Sequence, residues 1–397
     1  MFSDICRELQ DWESIIINLQ AWQDRAEIEQ ALERMNLYYK TIENLSPQSV
    51  TATIKELKPD IIIVANDDAP DSRMFIESAN AMNIPSLFVQ DGILTRNLNK
   101  RKVKLSRVIL YFTALPIKFI KFIIGNRYSF RQKTGIVLFQ LRYGAKWRKD
   151  HTGMFPGTGK SLKMAVFGES TKEMFIAEGV DQERIIVTGS PKFDALFRAT
   201  LDNGKEKLCE RLRIPKEKNI ILLVTQYFVE ANYWKADQRT DFVNAIAKAT
   251  ASLGDASLII KIHPPVEQEA EYKNIVKDFE PAPIILSYWS MPELLSACSL
   301  VITVSSTAAL EALAIKKPVV LVNLYHNDVS FFSGSEAILT TKKDELLPAI
   351  QKALFNFKSR KESPDASAEF VYKRAYLQDG RASKRIADLI RTMAVKK

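Results

Sequence analysis

At 397 residues the chain exceeds what one hydrophobic core comfortably fills, so two domains are expected. A hydrophobic content of 46% and a charged content of 26% are those of a globular protein and exclude a low-complexity chain. The net charge of +9 does not make the whole protein basic: Gly92 to Lys149 contains fifteen Lys or Arg and no acid, and outside that window 41 of the 56 basic residues face all 47 acidic ones.

In chain order, residues 1–58 read as mostly helical, with "ESIIINL" as a short strand and Ser46-Pro47 as a helix start. The N-terminus has no charged head, apolar segment and small-residue cleavage site, so no secretory leader is expected. "KPDIIIVANDD" reads as a buried strand at 60–65, followed by a helix over 70–83 and the strand "PSLFVQ". The acid-free window then includes "VILYFTALPIKFIKFIIG", 108–125. Two lysines and Pro116 make it a poor membrane span. It reads as an interfacial segment, with Phe, Ile and Leu in lipid and Lys or Arg against anionic head groups; the alternative is a helical hairpin with solvated lysines. No nucleic-acid motif accompanies it, and no nucleic-acid partner is expected. "FPGTGKS", 155–161, imitates a phosphate-binding loop, but Met154 stands where that motif needs glycine.

Alternation then becomes regular. Strands are expected at 162–168 and 184–189, helices over 192–213, and strands at 219–225, 257–262, 283–287, 300–304 and 318–322. Helices are expected between them, near 237–253, 266–279, 291–297 and 307–316, with a last helix over 380–395. Short apolar runs alternating with helices indicate α/β architecture with parallel sheets. The expected division is an acceptor-side domain at 1–203 with a basic insertion at 92–150, a nucleotide-binding domain at 204–375, and a C-terminal helix, 376–397, returning to the first domain. Cys6, Cys209 and Cys298 lack CxxC spacing, and His151, His263 and His326 are scattered. That gives no disulfide framework and no metal site, and it fits a reducing cytoplasm.

In open parallel sheets, ligands collect at the carboxyl ends of strands. Several polar stretches fall there. In "VSSTAALEA" the hydroxyls of Ser305, Ser306 and Thr307 meet the amides of a helix start, an anion site, and Glu311 one turn later can accept from a ribose diol. Helix capping explains the same residues without a ligand. In "KIHPP", His263 follows a buried strand and can donate to a phosphate oxygen, or serve structure alone. In "FVQDGIL", Asp91 is a candidate general base, or an Asp-Gly turn. Thr225 and Gln226 end "LLVTQ". Glu169, Ser190, Lys192 and Asp194 lie near strand ends of the first domain, and "ANDDAP" offers Asp67 and Asp68, all with capping as the alternative.

The stretches "KPDIIIVAND", "FVQDGI", "FGESTKEMFIAEGVDQERIIVTGSPKFDAL", "IIKIHPP" and "SSTAALEALAIKKPVVLV" together resemble the GT-B glycosyltransferase superfamily. The similar branch holds CDP-glycerol glycerophosphotransferases, capsule-polysaccharide transferases and UDP-N-acetylglucosamine 2-epimerases. The resemblance implies two Rossmann-like domains facing a cleft, with a nucleotide-activated donor on the second. It implies phosphate binding by the Ser turn and the His of "HP", and ribose contact by Glu311. Asp91-Gly92 departs from the His-Gly of the glycerophosphotransferases and looks closer to bacterial GT-B sialyltransferases, whose Asp is the base. Glu169, Asp67 and Asp91 fall near the acidic positions of the epimerases, which lack the long basic insertion and have an N-terminal strand-turn not found here.

The expectation is therefore a metal-independent glycosyltransferase of cell-surface glycan synthesis, without a cofactor. Its donor would be UDP-, CDP- or CMP-linked and its acceptor a lipid-linked or glycan hydroxyl. Residues 100–149 would hold it to the anionic inner face of the cell membrane. Asp91, His263 and Glu169 are the expected catalytic residues. Thr225, Gln226, His263, Ser305, Ser306, Thr307 and Glu311 would take the donor, and Asp67, Ser190 and Lys192 would line the acceptor side. The alternatives are a 2-epimerase-like enzyme, a glycerophosphotransferase, a sialyltransferase-like enzyme, and a GT-B-shaped scaffold without activity.

Overall fold

The computed structural model describes residues 2–18, 32–33, 38–41, 50–65, 67, 70–92, 160–201, 204–264, 266–359 and 366–394. Of the expected basic insertion at 92–150 only Gly92 falls among them; Asp68, His151 and most of the phosphate-loop look-alike also lie outside. The chain forms two compact units, one of residues 1–188 and 383–397, the other of residues 189–382.

The first unit begins with α1 (Phe2–Glu8) and two short strands, β1 (Ile16–Asn18) and β2 (Tyr39–Thr41), which pair in parallel. After α2 (Val50–Leu57) comes a four-stranded parallel sheet built by β3 (Ile62–Val64), α3 (Pro70–Ala81), β4 (Ser86–Val89), β5 (Lys163–Val166), α4 (Glu169–Ala177) and β6 (Ile185–Val187). Its strands lie in the order β3-β4-β5-β6. The inner strands are apolar on both faces because both faces are covered, and the period of two sorts them. Leu87, Val89 and Ala165 pack with Ile5 and Leu9, while Phe88, Met164 and Val166 pack with Ile76, Phe175 and Val180.

The second unit opens with α5 (Pro191–Thr200) and α6 (Gly204–Leu212). Ser190 caps α5, accepting the Lys192 amide at 3.3 Å, and Pro191 supplies the preset φ of a first helical turn. There follow β7 (Asn219–Val224), α7 (Ala236–Ala251), β8 (Ala256–Lys261), α8 (Glu269–Ile275), β9 (Ile284–Leu286), α9 (Met291–Ala297), β10 (Leu300–Thr303), α10 (Thr307–Ala314), β11 (Val319–Val322), β12 (Ile338–Thr340), α11 (Leu346–Ser359) and α12 (Ala366–Ala375). The six strands are parallel in the order β12-β11-β10-β7-β8-β9. The chain winds outward from β7 through β8 to β9, then returns to β7's other side with β10. The topological switch point, where such sheets receive ligands, is therefore between β7 and β10.

The second unit starts at Gly189 rather than at 204. The reason is packing: α5 lies against α9 and α10, so Ser190, Lys192 and Asp194 belong to the second unit and not to the first. The final helix, α13 (Ala382–Ala394), carries Ile386, Ala387, Ile390 and Met393 into the core of the first unit beside Leu87 and Val89. Among the described residues no helix is long and apolar enough to cross a membrane.

Candidate functional site

The carboxyl ends of β10, β7 and β8 are level, since Ile302 pairs with Leu223 and Val224 with Lys261. The residues that follow these three strands are brought together. Gln226 donates through Nε2 to Ser305 Oγ at 3.2 Å and accepts the Ser305 amide on Oε1 at 3.0 Å. This reciprocal pair clasps the two loops across the switch point. Thr303 reinforces it by donating to the Val224 carbonyl at 2.9 Å.

The three hydroxyls of the Ser-rich turn have separate positions. Ser305 is held by Gln226. Ser306 is the N-cap of α10 and accepts the Ala308 amide at 3.3 Å. Thr307, the first helical residue, is exposed. Capping and an open polar turn thus coexist, and the positive end of the α10 dipole favours an anion at this place. Ala308 and Ala309 are buried, which keeps the first turn of the helix slim.

Glu311 keeps some exposed area, yet protein encloses it on nearly every side. Burial pushes its carboxyl above the usual range, and Lys192 on the neighbouring α5 pulls the other way. Lys192 is therefore placed beside the Glu311 carboxylate within one unit.

His263 follows β8 with its side chain exposed. Its ring meets Tyr227 edge-on at 4.9 Å. Its amide donates to Glu267 Oε2 at 2.7 Å. Glu267 also accepts from the hydroxyls of Thr225 and Tyr272. Glu267 was not a sequence candidate; the only trace is an acid four residues after His263 in a string of surface-like residues. Thr225 is buried and donates inward, so the exposed polar atoms here come from its neighbours. Lys261 is buried too, its Nζ donating to the Ile262 carbonyl at 2.9 Å, and burial lowers its pKa against the opposing charge of Glu267.

The first unit carries a separate set. Asp67, Asp91 and Glu169 follow β3, β4 and β5, which are adjacent in the sheet. Asp67 is buried and its carbonyl accepts from Arg73 Nε at 2.8 Å. Glu169 is partly buried in the first turn of α4, where the helix dipole favours a carboxylate. Asp91 is exposed, on a turn that Gly92 completes with φ at +129°, a value that favours glycine. Gln90, also missed from sequence, holds this turn: Nε2 donates to the Gly92 carbonyl at 2.7 Å and Oε1 accepts the Phe167 amide at 2.8 Å. The sign of it was a polar residue ending an otherwise apolar strand. Asp194 accepts the Ala382 amide at 3.0 Å, a bond to the start of α13 rather than to its own helix.

The family model described as UDP-N-acetylglucosamine 2-epimerase matches residues 161–391, more than half the chain. Among solved structures, UDP-GlcNAc 2-epimerase from Neisseria meningitidis bound to UDP-GlcNAc is similar at 14% identity and a TM-score of 0.58, over 98% of this chain and 96% of that one. The UDP-GlcNAc 2-epimerase from Methanocaldococcus jannaschii gives 16% identity and a TM-score of 0.60 with the same coverage of both chains. The wall teichoic acid polymerase TagF with CDPG gives 14% identity and a TM-score of 0.57, over 97% of this chain and 89% of that one. These likenesses establish the fold as GT-B, two parallel-sheet α/β units. No curated protein matches the chain.

Proposed function

The chain belongs to the UDP-N-acetylglucosamine 2-epimerase family, and from that membership we propose that it breaks the bond between an anomeric carbon and the phosphate of a UDP-sugar. The observation that carries this reading is the clasped switch point of the second unit, where Ser305, Ser306 and Thr307 stand at a helix N-terminus and His263 follows the next strand but one, β8. The α10 amides and the His263 ring would take the diphosphate, and Glu311 the ribose hydroxyls. Charge that develops on the leaving UDP is then met by fixed dipoles that need no reorganisation.

Asp67, Asp91 and Glu169, after adjacent strands of the first unit, are the carboxylates available for acid-base work. Inversion at C2 requires a base to take the C2 proton as the C1–O bond breaks, and an acid to return a proton to the opposite face while UDP is added back at C1. Carboxylates in unlike settings, one exposed and one buried, suit such paired duties. A second reading is transfer of the sugar to a lipid-linked or glycan hydroxyl with Asp91 as base. The exposure of Asp91 on its braced turn favours it, since an acceptor can reach that carboxylate from solvent.

Incubation with UDP-N-acetylglucosamine alone in deuterated water is the test. Epimerisation exchanges the C2 hydrogen for deuterium without any acceptor; transfer leaves C2 protonated and releases UDP only when an acceptor hydroxyl is added. Neither exchange nor release, with UDP-, CDP- and CMP-linked donors alike, would refute both. The acid-free window at 92–149 supports a further element of the proposal, that the enzyme works at an anionic membrane surface.

A further inference from the structure

Behind His263 lies a carboxylate that touches no solvent. The Glu267 side chain has 0% of its area exposed. Its Oε2 accepts the His263 amide at 2.7 Å and the Thr225 hydroxyl, and its Oε1 accepts the Tyr272 hydroxyl. Arg239 Nη1 stands 4.0 Å from Oε1. The Glu267 amide in turn donates to the His263 carbonyl at 3.0 Å. The turn from 263 to 267 is therefore closed on itself by both the backbone and the side chain of one residue.

Enclosing a carboxylate costs more than packing an apolar residue of the same size. What the carboxylate does here that an apolar residue does not is to join two strand ends. Thr225 closes β7 and His263 follows β8, and a single oxygen of Glu267 holds a donor from each. We propose that Glu267 is the positioning residue of the nucleotide site, fixing the His263 imidazole at the end of β8 through its main-chain amide. This rests on the reading of the second unit's strand ends as the place where the UDP phosphates bind.

The test is a double-mutant cycle on UDP affinity by calorimetry, joined to a ligand-free NMR measurement. Glu267→Gln keeps the volume of the side chain but removes its charge and one acceptor oxygen. His263→Ala keeps the amide that Glu267 holds and removes only the ring. Each variant should weaken UDP binding about tenfold, the cost of one charged hydrogen bond, and the double variant should bind no worse than either. Additive losses, or a Glu267→Gln protein with unchanged affinity, would overturn the assignment. Without ligand, the imidazole signal of His263, identified by its loss in His263→Ala, should shift or broaden in Glu267→Gln while that of His326 stays. If the unaltered protein fails to bind UDP, this signal decides alone: a moved His263 resonance keeps the positioning role and discards the nucleotide reading, and an unmoved one discards both. Should Glu267→Gln not fold, Glu267→Asp, one methylene too short to bring its oxygen to the Thr225 and His263 donors, replaces it in each measurement.

Discussion

Glu311 is held in a place that penalises its charge. Burial raises its pKa from 4.5, so the folded protein binds a proton there more readily than the unfolded chain does. Stability contributed by that proton is present below about pH 4.5 and is lost as pH rises through the higher folded value. Glu311→Gln should remove this loss, so its melting temperature should gain on the parent protein as pH is raised through that window. A calorimetric pH series checks it, and a constant difference at all pH values would count against it. The same position should matter to ligand: Glu311→Ala is expected to weaken UDP binding about tenfold in a calorimetric titration. Retention of a residue that costs stability would follow from such a use in binding. Asp91→Asn should behave in the opposite way, lowering turnover of the UDP-sugar by about a hundredfold or more while UDP affinity stays unchanged.

Among elements, the sheet of the second unit was the most legible in sequence. "NIILLVT" and "LVITV" are continuous apolar runs because both faces of β7 and β10 are covered, and each ends in the hydroxyls and amides that mark a loop and a helix start. The strand β12 was not anticipated, being three residues at the sheet edge with Leu339 exposed. Neither were α11 and α12, which follow it. Residue by residue the site divides in the same way. Ser305, Ser306, Thr307 and His263 could be found because they interrupt apolar runs. Glu267 could not, since "VEQEAEY" reads as a wet surface and it takes donors from distant and neighbouring residues, the hydroxyls of Thr225 and Tyr272 and the His263 amide, to make one of its acids internal. The membership of α5 was equally hidden, because it depends on contacts with α9 and α10 rather than on any local pattern. The fit of α13 gives a prediction at this scale. Ile390 has 0% exposed area within the first unit's core, so Ile390→Ala should cost about 2–5 kcal/mol. Urea unfolding followed by hydrogen exchange should show the loss in β4 and β5 and leave β7 and β8 protected.

For the whole molecule, charge is the property that no single element explains. Fifteen basic residues fall between Gly92 and Lys149 and the remainder of the chain is net acidic, so attraction to an anionic surface would be concentrated in one segment. Deleting 100–149 should release the protein from anionic vesicles in a sedimentation assay, and raising the salt should release the full chain. Salt-insensitive binding that survives the deletion would remove the membrane element from the proposal.

The route of the chain also orders its own synthesis. Residues 1–188 leave the ribosome first, but the sheet they form lacks the cover that Ile386, Ala387 and Ile390 provide until the last helix has emerged. The second unit, continuous from 189 to 382, can complete its core earlier. The half of the protein made first is thus finished last, and a product that stops short of α13 would leave the face of Leu87 and Val89 covered only in part, by Ile5 and Leu9, and open to chaperones and proteases.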